Sequence, residues 1–301
     1  MALFEINLEE NIFSLYKELK SGSYEHGNYE CFKIADPKER IVHKAQIKDR
    51  IVHQAVYRVL YSIFDKQFIY DSYSSRIGKG THRAVKRLKH FTENISRHYS
   101  EPCFAVKMDV RKFFHSIDHC ILKELIAKQI KCQKTLKLIT QIIDSFFTDK
   151  NKGLPIGNVT SQLFANIYLD KLDRFIKHRL KVKYYIRFCD DFVVVKNNND
   201  FNTISIAIND FIGKKLGLKI KEVKSRVRKI SWGFDFLGFV VLPHHLVMRT
   251  KTKKRILRKV VEKNQLFQQG QISYTKYKST INSYRGLLKH SNNYKLLQEI
   301  V

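Results

Sequence analysis

Acidic residues are scarce in this sequence of 301 residues: 28 Asp plus Glu stand against 56 Lys plus Arg, a formal net charge of +28. An excess of that size on a folded chain points to polyanionic partners, because solubility alone is reached with far less charge. Long apolar runs are missing as well. No stretch of 18 apolar residues occurs, so no membrane-spanning helix and no membrane partner is expected. The opening residues carry acids early and lack the charged-then-apolar layout of a secretory signal. Cysteine is sparse and odd in number. Cys31, Cys103, Cys120, Cys132 and Cys189 are scattered without a CxxC pair. That pattern supports neither a zinc ribbon nor a disulfide framework, and a reducing cytoplasm is the expected location. With only 4 Pro and 12 Gly, long flexible linkers are not expected, and no internal repeat is visible.

What is present is enough to build a core. Apolar residues make up 44% and aromatics 12%, which excludes wholesale disorder. The length favours two or three subdomains. Leu8, Ile12, Leu15 and Leu19 fall at helical spacing over 5–20. CFKIA, the turn residues Asp36-Pro37 and ERIV predict a hairpin over 29–42. A helix is expected over 47–66, then a loop (71–82), then a basic helix to about His98. Phe104–Asp109 reads as a short apolar strand ending on an acid. FFHSIDHCILKELIAKQI (113–130) reads as one helix, and a second follows over about 133–148. GLPIGNVTSQ (153–162) reads as a loop that leads into a helix at LFANIYLDKLDRFIKHRL. YYIRF and FVVVK predict a tight hairpin with acids at its tip. Residues 201–217 read as helix, FDFLGFVVL (234–242) as strand, and the basic tail as helix. The order predicts an α+β fold, with helices covering an antiparallel sheet.

Three acids stand where strands end or turn: Asp109, Asp190 and Asp191. Carboxylates are costly to bring together unless a cation holds them. Mg2+ prefers carboxylate oxygens and leaves its remaining positions to water and phosphates. Two such ions roughly 3.5–4 Å apart activate an attacking hydroxyl and stabilise a leaving pyrophosphate. Taken alone the adjacent pair is ambiguous, because Asp also caps turns and Glu9-Glu10 is another acid pair here.

VKMDVRKFFHSIDH (106–119), GLPIGNVTSQLFANIYLDKLD (153–173) and RFCDDFVVV (187–195) resemble, in order and separation, the three central palm motifs of reverse transcriptases. SYSSRIGKGTHRAV (72–85) resembles the fingers motif of the bacterial, group II-like members. LGLKIKEVKS (216–225) and FDFLGF (234–239) resemble two further palm motifs. The resemblance implies a right-hand polymerase: N-terminal segment and fingers over 1–100, palm over 101–245 with fingers helices inserted at about 119–150, and a short helical thumb over 246–301. It implies RNA-directed DNA synthesis on two Mg2+ ions, with Mn2+ as a substitute. Asp109, Asp190, Asp191 and the Val110 carbonyl would hold the metal. Phe114 would lie beneath the incoming sugar and exclude a 2′-hydroxyl. Without the motif, Phe114 reads as a core aromatic. Lys38, Arg40 and Arg76 would hold the triphosphate, with a solvated basic surface the competing reading for all three. Lys224 would sit near the pyrophosphate, although Lys219, Lys221 and Arg226 crowd the same stretch.

Departures from the family pattern narrow the expectation. Phe188-Cys189-Asp190-Asp191 replaces the usual Tyr-x-Asp-Asp; Cys189 reads as a filler, since neighbouring acids disfavour a thiolate. Ile156-Gly157 and Ser161-Gln162 stand where most relatives carry Gln-Gly and Ser-Pro. This combination resembles the enzymes of diversity-generating retroelements, which copy an RNA repeat with errors at adenines. Ile156, Gly157, Ser161 and Gln162 are thus the expected template and fidelity loop, with Gly157 and Gln162 also beside the nucleotide. An apolar Ile156 removes a hydrogen-bonding contact there. A neutral lineage difference is the competing account, and a reverse-transcriptase-like antiviral defence protein is the alternative function.

Residues 249–263 hold eight Lys or Arg and one Glu. Ile256, Leu257, Val260 and Val261 are interleaved among them, which predicts a helix with one basic face. Lys253, Lys254, Arg255, Arg258 and Lys259 would follow the phosphates of a duplex. Expected partners are template RNA, primer or cDNA, deoxynucleoside triphosphates and, as the resemblance implies, a small basic accessory protein. The expected setting is the cytoplasm, with a bacterial, archaeal or phage gene as the source.

Overall fold

The computed structural model describes residues 2–36, 39–221, 227–294 and 298. The N-terminal apolar spacing forms two helices instead of the single one expected, α1 (Ala2–Ile6) and α2 (Leu8–Ser21), interrupted at Asn7. Strands β1 (Glu30–Ile34) and β2 (Arg40–Lys44) make an antiparallel hairpin with Glu30 opposite Lys44. Helices α3 (Ile47–Phe64) and α4 (Thr81–Ile95) flank the loop read from the sequence at 71–82. Then come β3 (Phe104–Asp109), a single turn α5 (Phe113–Ser116), α6 (His119–Ala127) and α7 (Gln133–Asp144). The Asp118 side chain caps α6 by accepting from the Cys120 and Ile121 amides, which fixes where that helix begins. Helix α8 (Val159–Arg174) continues into a π-helical turn over Phe175–Arg179. Strands β4 (Tyr185–Phe188) and β5 (Asp191–Lys196) precede α9 (Asn202–Leu216), which ends on a left-handed Gly217. Strand β6 (Val227–Lys229) leads to β7 (Phe234–Phe236), β8 (Phe239–Val241) and β9 (Leu246–Met248). The basic tail forms α10 (Thr250–Gln268) and α11 (Tyr274–Leu288).

The central sheet has the order β4-β5-β3-β6 and every neighbouring pair is antiparallel. Alternation along β3 and β5 divides their side chains between two cores. Val106, Met108, Phe192 and Val194 face a core made with α3, α6, α7, α8 and α9. Ala105, Val193 and Val195 face a second core made with α4, the β7-β8-β9 sheet, α10 and α11. The tail helices are therefore anchored on the same sheet face through Ile256, Ile281 and Leu288. Each fully buried Leu or Ile contributes about 1.5–3 kcal/mol.

Three local expectations are corrected. FDFLGFVVL is not one strand: Leu237 and Gly238 both take positive φ, 51° and 86°, and form a two-residue turn between β7 and β8. Helix α8 starts at Val159, inside the segment read as loop. Helix α7 stops at Asp144, short of the expected 148.

Candidate active site

Strand pairing brings the acids together. Asp109 ends β3 directly opposite Asp191, the first residue of β5. Like charges placed so oppose strand pairing. On β4, Phe188 pairs with Asp191, which leaves Cys189 and Asp190 as a two-residue turn. Hairpins of this length require positive φ, and Cys189 adopts φ 55°. The turn has a buried anchor. Arg187 Nη1 donates to the Cys189 carbonyl at 3.0 Å and to Asn166 Oδ1 at 3.1 Å. Its Nε and Nη2 hold Asp173 at 2.8 and 2.6 Å. The Tyr185 hydroxyl also donates to Asp173, at 2.7 Å.

The charge balance at the tip is unfavourable without a cation. Burial first, then the Asp109 charge, with Asp191 adding, push the Asp190 carboxyl up to about 6. Burial first, then Asp190, push the Cys189 thiol up to about 12, which makes it a poor nucleophile. One basic side chain already reaches the cluster: Lys107 Nζ lies 3.0 Å from Asp191 Oδ2. Among the described residues, no group of three or more His, Cys, Asp or Glu side chains is already placed to hold a metal ion. Asp109, Asp190 and Asp191 offer only oxygen donors with excess negative charge, the donor chemistry that hard divalent cations take. The raised Asp190 carboxyl has a thermodynamic consequence. Between the ordinary carboxylate range and about 6 the fold binds the proton more tightly than the unfolded chain does. Stability therefore falls as pH rises through that window, and the full cost persists above it. An Asp190→Asn variant without divalent metal is expected to melt higher at pH 7.5, by about 2–5 °C for roughly 1–2 kcal/mol. Near pH 4 the gain should vanish. Calorimetry at the two pH values checks this, and an equal effect at both would refute it.

Other expected residues fall around the cluster. Val110 forms an isolated bridge with Ile220, flanked by Arg111 N–H to Lys219 O and Lys221 N–H to Asp109 O, both 2.8 Å. That pattern turns the Val110 carbonyl to the opposite edge of the strand, the side of the β4–β5 hairpin. Phe114 is half-buried beside Phe113, ring centroids 5.4 Å apart, and its carbonyl accepts from the Leu154 amide at 2.7 Å. The 153–158 loop thereby joins the segment that follows Asp109. Its other end joins β2: the His43 amide donates to the Ile156 carbonyl at 2.9 Å. Gly157 is required there, since its φ is 127° and a Cβ would sit 2.8 Å from Val42 Cγ1. Of the other two loop residues, Ser161 is buried within α8 and Gln162 is exposed.

Arg76 is turned into its own loop. Its guanidinium donates to Asp65 Oδ1 at 2.6 Å and to the carbonyls of Asp65, Ile69 and Ser72. The side chain is buried and organises the 65–80 loop. Arg40 lies exposed at the start of β2. Lys38 and Lys224 lie outside the described residues. On α10, Lys251, Lys254, Arg255 and Arg258 share one stripe and line a cleft of about 520 Å³ with Asp36. Arg255 and Lys259 stand 3.7 and 3.9 Å from the Asp36 carboxylate, so the β1–β2 hairpin and the basic helix face each other. Lys253 is half-buried and is not among the cleft-lining residues. Sequence reasoning missed Lys107, Arg187, Asp173 and Asn166. Two of them carried a signal: Arg187 is a charge inside an apolar strand, and Lys107 lies two residues before Asp109, hence on its face.

Comparison with known proteins places these features. The group II intron-encoded protein LtrA of Lactococcus lactis is 26% identical over 84% of this chain and 54% of its own length. A putative COX1/OXI3 intron 2 protein of Saccharomyces cerevisiae is 22% identical over 71% of this chain and 31% of its own. The chain thus spans about a third to a half of these relatives. In fold, it resembles apo telomerase from Candida tropicalis, with a TM-score of 0.59 and 14% identity over 96% of this chain and 61% of that one. The pattern of the family described as "Reverse transcriptase (RNA-dependent DNA polymerase)" matches residues 34–241. That match takes in well over half of the sequence and all three clustered acids, and the chain accordingly belongs to the reverse transcriptase family.

Proposed function

We propose that the chain is an RNA-directed DNA polymerase that copies an RNA template into cDNA, and that it is the error-prone enzyme of a diversity-generating retroelement. The observation that carries the polymerase reading is the register of the sheet, with Asp109 opposite Asp191 and Asp190 in the adjoining turn. Asp109, Asp190, Asp191 and the Val110 carbonyl would hold two Mg2+ ions, with Mn2+ as a substitute. When bound, the metal would supply charge stabilisation for nucleotidyl transfer from a deoxynucleoside triphosphate to the primer 3′-hydroxyl, with pyrophosphate as the leaving group. The half-buried Phe114 closes the space beneath the incoming sugar. Arg40 and the α10 stripe bear on the phosphates of nucleotide, template and primer. The proposed division is N-terminal segment and fingers over 1–100, palm over 101–245 and thumb over 246–301. A small basic accessory protein is the proposed protein partner. The location proposed is the cytoplasm, where the five free thiols would stay reduced; among the described residues no helix is long and apolar enough to cross a membrane.

The retroelement reading rests on Ile156. Its carbonyl ties the loop to β2, but its side chain offers nothing to hydrogen-bond a base or sugar. One such bond is worth about 0.5–1.5 kcal/mol, or roughly two- to tenfold in discrimination. The test is primer extension on an RNA template with Mg2+ and four deoxynucleotides, followed by sequencing of the cDNA. Errors concentrated opposite adenine are expected, and Ile156→Gln should reduce them by about three- to tenfold. Uniformly accurate cDNA from the unaltered protein would leave the polymerase and remove the narrower assignment.

A further inference from the structure

We propose that Lys107 is a resident counter-ion of the carboxylate cluster: it occupies Asp191 until a divalent cation binds there, and then passes to a backbone phosphate of the nucleic-acid strand ending at the site. The inference rests on the metal-binding reading of Asp191 given above. It starts from position. Lys107 lies two residues before Asp109 on β3 and so projects from the same sheet face. Its direct cross-strand partner is Val193. The ammonium nonetheless reaches diagonally to Asp191, at 3.0 Å from Oδ2. Diagonal neighbours on one face lie within the span of a long side chain. Neither side chain of the pair is fully buried, with 21% and 27% of their surfaces exposed, so the contact can open without unfolding.

The surroundings explain why a cation sits there and where it goes next. Asp109 and Asp191 face each other across the strand pair, and Asp190 adds a third acid in the adjoining turn. A lysine ammonium is a compact charge on a flexible stem that re-aims easily. Lys107 Nζ also lies 5.9 Å from the Phe236 ring centroid. Phe236 ends β7 at the tight β7–β8 turn. The ammonium is therefore close both to Asp191 and to the end of β7. A dication at Asp191 reverses the field that Lys107 experiences, because attraction to the carboxylate is then offset by repulsion from the ion. The released ammonium needs a new anion, and a phosphodiester next to a strand end held at the acids would supply it. One residue would thereby neutralise the metal-free site, lower its affinity for stray cations and couple metal entry to strand binding.

The experiment uses the full chain, with Mn2+ alone as the first probe. Electron paramagnetic resonance titration counts bound Mn2+ in the unaltered protein, Lys107→Gln and Lys107→Arg. Lys107→Gln should bind Mn2+ about three- to tenfold more tightly, because the competitor is gone, and Lys107→Arg should not. Equal or weaker Mn2+ binding by Lys107→Gln overturns the proposal, and weaker binding assigns Lys107 a purely structural hold on Asp191. A failure of the underlying reading looks different: none of the three proteins would take up Mn2+, which removes both ideas together. The second probe is a recessed-end RNA–DNA duplex bound at several salt concentrations with Ca2+ present. Loss of one phosphate contact should lower the slope of log K against log salt by about 0.7–0.9 in Lys107→Gln. An unchanged slope overturns the transfer to phosphate.

Discussion

An Asp191→Asn variant is expected to lose primer extension by at least about three orders of magnitude while remaining folded and bound to RNA. The size of the effect follows from charge. One carboxylate facing a dication at about 4 Å is worth about 8 kcal/mol gross at an effective dielectric of about 20. Retention of half of that in the transition state corresponds to about a thousandfold in rate. The fold should tolerate the change. Asp191 stands at the first position of β5, partly exposed, and its ionic partner is the equally accessible Lys107. Asn keeps an oxygen that accepts from that ammonium. Removing one of two opposed charges also relieves the repulsion with Asp109 across the strand pair. Extension kinetics, circular dichroism and RNA binding by filter retention are the three measurements. Synthesis within tenfold of the unaltered protein would mean that the cluster is not where the chemistry occurs.

How much of this was legible in the sequence depends on the range of the interactions involved. Asp109, Asp190 and Asp191 were readable because each interrupts an apolar strand or stands in a turn, a local signal. The register that sets Asp109 against Asp191 was not, since the two are far apart in the chain and a one-residue slip would turn every side chain to the other face. The basic residues show the same limit. Arg76 reads as a surface cation by type, yet a carboxylate and three carbonyls of its own loop enclose it. Arg255 and Lys259 were placed on a basic helix by spacing, but that Asp36 of the first hairpin faces them is a tertiary fact. The β7–β8 hairpin was read through as strand because Leu237-Gly238 lacks the Asn-Gly or Asp-Gly signature of such turns. Helix α8 was started late because its first turn, Val159–Gln162, coincides with a motif read as loop.

Arg187→Met is expected to be the most destabilising single change near the site, at about 3–5 kcal/mol, or a melting temperature lower by roughly 10 °C. Both Arg187 and Asp173 side chains are fully buried. Removal of the guanidinium leaves Asp173 as a charge in the core, with the Tyr185 hydroxyl still donating to it. It also removes the donor that Asn166 Oδ1 and the Cys189 carbonyl share. A second substitution separates the causes. If the cost is the stranded charge, Arg187→Met with Asp173→Leu should recover at least half of the stability, since apolar side chains fill such space without desolvating an ion. A double variant no better than the single one would refute that cause and place the cost in packing. The same pair tests the link from core to chemistry. The Cys189 turn presents Asp190, and Arg187 is the side chain that grips its carbonyl; Asn166 in turn donates to Ser74 O in the loop before α4, at 2.9 Å. In a double variant that regains stability, the turn still lacks its anchor. Extension should therefore stay depressed in kcat by about tenfold or more, with template affinity near normal. Full recovery of kcat along with stability would show that Arg187 serves the fold alone.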